Sequence, residues 1–311
     1  MFSRFFVTFA PMKTKYVATI GCFDGVHRGH QTLIAMVLQQ AKERGLGSMV
    51  ITFDKQPREV FDPSFRPQLL STPEEKELLL KAMGIDEVVV LPFTKQLAAL
   101  SARTFMEQVL RDRYGVCVLV TGYDNRFGHN RSEGFDDYVR YGSELGMEVL
   151  RGDVARFPDG EQAFSSSAIR QLLAEGRVEL MPQCLTRYYA LTGIVVTGEH
   201  IGHELGFPTA NLEPDNPSKL IPAAGVYAVW VVMAERRLRG MMNIGMRPTF
   251  NGHRQTLEVN VLDFEGDLYG QRLTVEFAAR VREERRFDSR EALAAQLAED
   301  RKQVEALLIR R

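Results

Sequence analysis

The sequence predicts two folded domains of different class: a doubly wound parallel α/β domain, then an antiparallel β-barrel domain with a C-terminal helix. Three observations carry this reading. The chain has 311 residues, roughly double the usual size of one domain. Strand-like and helix-like runs alternate up to Met181-Pro182, and beyond that point strand follows strand. A glycine-rich turn stands directly between the first strand and the first helix, as in nucleotide-binding α/β folds.

Residues 16–21 are apolar and β-prone, and residues 30–44 place Leu33, Ile34, Val37, Leu38 and Ala41 at helical spacing, which makes a βα unit. Residues 48–53 give the next strand. Thr72-Pro73-Glu74-Glu75 combines an N-cap, a proline at the first helical position and a capping-box glutamate ahead of Leu78, Leu79 and Leu80, so a helix begins there. Residues 87–91 and 116–121 read as buried strands separated by a helical stretch over 102–113. Such alternation implies a parallel sheet covered on both faces. In the second half, residues 189–197, 226–233, 256–262 and 273–277 are strands, the last strictly alternating. Ser289 then caps a final helix whose Leu293, Leu297, Val304, Leu307 and Leu308 are spaced to dock on the sheet. The domains are set at 1–182 and 183–311.

Lys plus Arg (39) and Asp plus Glu (40) nearly cancel, so no global field points to nucleic acid or a membrane surface; the expected partners are small molecules. Three scattered cysteines without C-x-x-C spacing indicate neither a disulfide framework nor a zinc site and fit a reducing, cytoplasmic compartment. The N-terminus lacks a signal-peptide core, and no run approaches the roughly 20 apolar residues of a membrane span. No feature speaks to oligomeric state.

The turn Gly21-Cys22-Phe23-Asp24-Gly25-Val26-His27-Arg28-Gly29-His30 lets backbone approach phosphates at a helix N-terminus. It lacks the Gly-Lys-Ser/Thr of a P-loop. His27 and His30 stand where they can donate hydrogen bonds to charge developing on an α-phosphate; the plainer alternative is that they cap the helix and face water. In Phe164-Ser165-Ser166-Ser167-Ala168-Ile169-Arg170, serines open a helix and Arg170 follows within about its first turn, an anion-binding arrangement or a simple serine cap. Gly193, Gly198, Gly202 and Gly206 thread a strand and its loop ahead of Phe207-Pro208-Thr209-Ala210-Asn211; such a loop folds over phosphates, with Thr and Asn as oxygen donors for Mg²⁺. Period-two alternation puts Glu258 and Asn260 opposite Leu257, Val259 and Val261. On an open face Glu258 suits a general base toward a hydroxyl; a solvated surface glutamate is the alternative.

Taken together, residues 21–30, Thr52-Phe53-Asp54, the 122–134 loop and residues 165–170 resemble the FAD synthetase half of bacterial bifunctional riboflavin kinase/FAD synthetases, a Rossmann-like branch of the His-x-Gly-His nucleotidyltransferases. This resemblance implies an ATP site at Gly21, Phe23, Asp24, Gly25, His27, His30, Ser166 and Arg170, with catalytic roles for His27, His30 and Arg170, and a flavin or nucleotide loop at Asp124, Asn125 and Arg126. The family commonly reads Pro-x-His-Pro where this chain has Asp54-Lys55-Gln56-Pro57, and Thr where it has Ser167. Residues 206–212, 243–250, 257–259 and 262–270 look like successive signatures of riboflavin kinase. By that similarity Gly198, Gly202, Gly206, Thr209 and Asn211 bind ATP, the last two with Mg²⁺; Glu258 is the catalytic base; and Asn243, Thr249, Arg282 and Phe287 border the flavin. His203 stands where Arg is usual and Asn260 where His often follows. The activity implied is phosphorylation of riboflavin to FMN and adenylylation of FMN to FAD. Alternatives are transfer of a nucleotidyl group to another acceptor, or a flavin-binding or sensing protein whose adenylyltransferase site has decayed, the latter motivated by Lys55-Gln56.

Overall fold

The computed structural model describes residues 14–123, 125–158, 160, 162–197, 207–249 and 252–309, without the side chains of residues 130, 247–249 and 252–254. By its contacts the chain divides into two compact units, residues 1–66 with 73–163, and residues 67–72 with 164–311.

In the first unit β1 (Tyr16–Ile20), β2 (Gly47–Phe53), β3 (Glu87–Leu91), β4 (Val116–Thr121) and β5 (Glu148–Arg151) form a five-stranded sheet in the order β3-β2-β1-β4-β5. Every pairing is parallel. Alternate residues of one strand go to opposite faces, and both faces are covered. Val17 and Val50 pack with Ile34 and Val37 of α1 (Arg28–Arg44). Ala18, Ile20 and Ile51 pack with Phe105, Met106 and Leu110, and with Tyr138 of α6 (Phe135–Leu145). Each such side chain contributes about 1.5–3 kcal/mol when fully buried, which is why the strands read as nearly continuous apolar runs. The short helices α2 (Pro57–Phe61), α3 (Pro73–Ala82) and α4 (Lys95–Ala98) lie between β2 and the helical stretch after β3.

The expected helix over 102–113 is α5 (Ala102–Thr104) running into a π-helix, Phe105–Arg113. Phe105 and Leu110 are both buried in the sheet-facing cluster, and their i, i+5 spacing matches the π hydrogen-bond step.

In the second unit α7 (Ser166–Ala174) and α8 (Met181–Leu185) precede β6 (Tyr189–Val196), β7 (Ala210–Pro214), β8 (Gly225–Met233), β9 (Arg236–Thr249), β10 (Gly252–Val261) and β11 (Arg272–Arg282), and α9 (Arg290–Leu307) ends the chain. The strands close into an antiparallel barrel ordered β10-β7-β6-β11-β8-β9. Closure removes both sheet edges. Tyr189, Leu191, Tyr227, Val229, Val259, Leu273 and Phe277 are buried by the period-two rule on the inner face. Outside, Val226, Ala228 and Met241 are covered by Val304, Leu308 and Leu297 of the α9 segment.

Residues 67–72 add to this unit from far upstream. Leu69 N–H donates to Ser218 O at 2.8 Å, Leu220 N–H to Leu69 O at 2.9 Å, and the buried Lys219 ammonium to Leu70 O at 2.9 Å.

Candidate active sites

The first site lies where the strand order reverses, between the carboxyl ends of β1 and β4, the usual ligand crevice of such sheets. Asn125 bridges that point, its Nδ2 donating to Ile20 O at 2.6 Å. The turn after β1 is held in a high-energy shape: Phe23 (φ 51°), Gly25 (φ 82°) and the β-branched Val26 (φ 42°) all adopt left-handed backbone. Phe23 and Val26 are anchored in the core cluster under α1, so the Phe23 side chain is a core residue. Lys76 stiffens the same region, its ammonium donating to Cys22 O at 3.2 Å and Phe53 O at 2.8 Å.

His27 does cap α1: the His30 N–H donates to its Nδ1 at 3.4 Å. The two imidazoles are stacked, 3.6 Å between centroids at 21°. Burial first, then the neighbouring His27 and Lys76, hold His30 well below the usual histidine range, so it is a neutral donor at physiological pH. Its Nδ1 is buried and has no hydrogen-bond partner among the described residues. Capping and phosphate binding are therefore compatible roles of one turn.

Beside this turn, and sharing Gly21 and Cys22 with it, is a cavity of about 480 Å³. Phe53, Phe61, Phe93, Phe105 and Phe127 line it, with Arg58, Arg126, His129 and Arg131 among its polar groups. Phe53 and Phe93 meet edge to face at 5.1 Å, and Phe127 stacks on Tyr138 at 4.2 Å. An aromatic cavity with cationic groups suits a planar polycyclic anion. Asp124 lies outside the described residues. Gln56, where the family often has His, heads α2, and its N–H donates to Glu59 Oε1 at 2.6 Å. Ser166 and Arg170 fall in the second unit, at the head of α7; Ser165 is the cap, accepting from Ala168 N–H at 3.2 Å, and Arg170 Nε donates to Gln68 O at 2.8 Å.

The second site is built on the outer face of the barrel. Cα register places Asn211 opposite Glu258, Glu258 opposite Asn243, Asn243 opposite Val226, and Val226 opposite Arg282. Directly paired residues share a face, so Asn211, Glu258, Asn243 and Arg282 form one transverse row. A cavity of about 310 Å³ lies over this row, walled by Asn243, Glu258, Asn260, Arg282, Phe287 and α9. A second cavity, of about 530 Å³, lies at the mouth beside Val259, Val261 and residues 264–269. Thr209 lines both. Gly198, Gly202 and Gly206 lie outside the described residues, as does the side chain of Thr249.

Three side-chain contacts support this site. Asn260 Nδ2 donates to Pro208 O at 2.7 Å and so fixes the strand entry that carries Thr209. Glu284 accepts from Met246 N–H at 3.3 Å and packs on Gly245, where a Cβ would stand 2.9 Å from its carboxylate. Asp300 is bound to Arg282. The legible signal was at Asp300, a charge within the apolar stripe of the last helix.

The family model described as FAD synthetase matches residues 10–168, and the one described as riboflavin kinase matches residues 185–308. A bifunctional riboflavin kinase/FMN adenylyltransferase of Escherichia coli (strain K12) is 39% identical over 285 residues, covering 91% of this chain and 90% of that protein. One of Bacillus subtilis (strain 168) is 33% identical over 304 residues, covering 94% and 92%. A crystal structure described as a macrolide-efflux protein from Streptococcus pneumoniae aligns with a TM-score of 0.86 at 30% identity, over 95% of this chain and 98% of that one. Among the described residues no helix is long and apolar enough to cross a membrane.

Proposed function

The chain belongs to the family of bifunctional riboflavin kinase/FMN adenylyltransferases, and from that premise we propose how its residues divide the work. The protein uses ATP to phosphorylate riboflavin to FMN and a second ATP to convert FMN to FAD with release of pyrophosphate. We assign the adenylyltransferase to residues 1–182 and the kinase to 183–311, a division supported by the spans of the two family matches.

The row Asn211–Glu258–Asn243–Arg282 is the observation that carries the kinase assignment. Riboflavin sits in the cavity over the row and ATP in the neighbouring one, so that transfer takes place beside Thr209. The 5′-hydroxyl of riboflavin attacks the γ-phosphorus, Glu258 takes its proton, the bond to the β–γ bridging oxygen breaks and ADP leaves. The Thr209 hydroxyl and the Asn211 amide oxygen are hard, neutral donors, and no cluster of three His, Cys, Asp or Glu able to hold a metal occurs among the described residues. Such oxygen donors fit Mg²⁺, and Thr209 and Asn211 are the residues that would hold it. When bound, Mg²⁺ neutralises phosphate charge.

In the first unit the flavin ring of FMN occupies the phenylalanine-lined cavity, with Arg58, Arg126 and Arg131 as counter-charges for its phosphate. An FMN phosphate oxygen attacks the α-phosphorus of ATP and pyrophosphate leaves. His27 and neutral His30 stabilise the charge spreading over the transferring group, so positioning and electrostatics set the rate. Ser166 and Arg170 are assigned to the ATP phosphates on their motif alone. A reducing, cytoplasmic setting, in keeping with the thiols Cys22, Cys117 and Cys184, none of them in a disulfide, is part of the same reading.

The test is product analysis with riboflavin, ATP and Mg²⁺ for the natural protein and for Glu258→Gln. The natural protein forms FMN and then FAD. The variant loses roughly 10²–10⁴ in FMN formation, the usual contribution of a positioned base, while still forming FAD from supplied FMN. Loss of both activities in a folded Glu258→Gln protein refutes the assignment.

A further inference from the structure

Helix α9 carries an apolar stripe at residues 293, 297, 304 and 308, and the stripe position between the second and third of these is an aspartate. Asp300 is 0% exposed. Its carboxylate accepts from Arg282 Nε at 3.0 Å on each oxygen, from Arg282 Nη2 at 2.8 Å and from Gln296 Nε2 at 2.7 Å. Arg282 in turn lines the cavity over the Glu258 row, with its guanidinium 5.6 Å from the Phe287 ring centre. A leucine at position 300 would continue the stripe, and a buried ion pair is a poor source of stability compared with apolar packing of similar volume. What the pair does supply is direction, because a guanidinium gripped through two of its nitrogens has a fixed plane.

We propose that Asp300 is a positioning residue for riboflavin phosphorylation: from the C-terminal helix it fixes the plane of Arg282 in the wall of the flavin cavity. The inference rests on the reading of that cavity as the riboflavin site. It makes α9 part of the kinase machinery as well as a cover for the barrel.

Riboflavin KM and kcat for kinase activity are measured for Asp300→Asn, Arg282→Gln and the neutral double variant Arg282→Met/Asp300→Leu, with thermal unfolding and FAD formation from supplied FMN followed in each. Asp300→Asn raises riboflavin KM by roughly 10- to 100-fold, the range for losing one hydrogen bond to a charged group. FAD formation from FMN persists. The double variant recovers thermal stability, since no buried charge is left unpaired, yet keeps the raised KM. Where Asp300→Asn fails to fold, Asp300→Glu, which keeps the charge but displaces the carboxylate, decides in its place, with a raised KM expected. A natural KM in folded Asp300→Asn or Asp300→Glu beside an impaired Arg282→Gln overturns the proposal. A natural KM in Arg282→Gln overturns the reading of the cavity instead.

Discussion

Asn260 provides the sharpest check on the barrel site, because its replacement removes one defined bond. The residue is 5% exposed, and its side chain donates to Pro208 O at 2.7 Å. Losing a hydrogen bond costs about 1–3 kcal/mol when the abandoned partner stays buried. Pro208 is exposed, so its carbonyl can rehydrate and the low end applies, about 1–1.5 kcal/mol. If that energy goes into holding Thr209 where the two cavities meet, Asn260→Ala lowers kinase kcat/KM for ATP roughly five- to tenfold. Asn260→His, the residue relatives often carry, retains a ring N–H donor and recovers most of the loss. Initial rates against ATP at saturating riboflavin measure both, with FAD formation from FMN as the internal control. A folded Asn260→Ala protein whose kcat/KM for ATP stays within about twofold of natural would refute the claim that this bond orders Thr209.

His30→Ala should lower FAD formation from FMN by about 10²–10³ while leaving FMN formation intact, as expected for one lost electrostatic donor; coupled product assays read both. Because the folded His30 pKa is depressed, the unfolded chain binds the proton more readily, so stability is full above the unfolded value near pH 6.5 and falls as pH drops through it. Denaturant midpoints at pH 7.5, 6.5 and 5.5 should show the fall, and it should be shallower in His30→Ala. A fragment starting near Thr186 should phosphorylate riboflavin and make no FAD, but unfold at lower denaturant than one starting at Phe164. The longer fragment keeps Leu173, Val178, Met181 and Leu185, all buried and grouped by contact with the barrel.

What the sequence made legible was local. Strand β10 announced Glu258 and Asn260 by period-two alternation, and the left-handed turn at residues 23–26 was marked by its glycines and by the strand and helix on either side. The row that joins Asn211 to Glu258 was not visible, because the register between strands 47 residues apart is fixed by barrel closure and by no local pattern. Strands β7 and β9 were missed for a related reason. Ala-Asn-Leu-Glu-Pro is short and ends in proline, and β9 opens with Arg-Arg-Leu-Arg, a polar run that reads as a loop until its neighbours are known. The phenylalanine cavity gathers Phe53, Phe93 and Phe127 from the ends of three strand-to-helix connections, so no periodicity links them.

The strip of chain at residues 67–72 has a consequence for how the protein is made on the ribosome. The Leu70 carbonyl and its lysine partner are 149 positions apart. At about 5–20 residues per second, roughly 7–30 s separate the synthesis of the two. Throughout that interval the first unit can complete its parallel sheet, whereas the hydrogen bonds of Leu69 and Leu70 to residues 218–220 cannot form until that stretch emerges. Residues 67–72 thus wait, tethered in sequence at both ends to the first unit, for a part of the chain made much later. Slowing translation between codons 163 and 220 would lengthen that wait without altering a single contact of the finished enzyme.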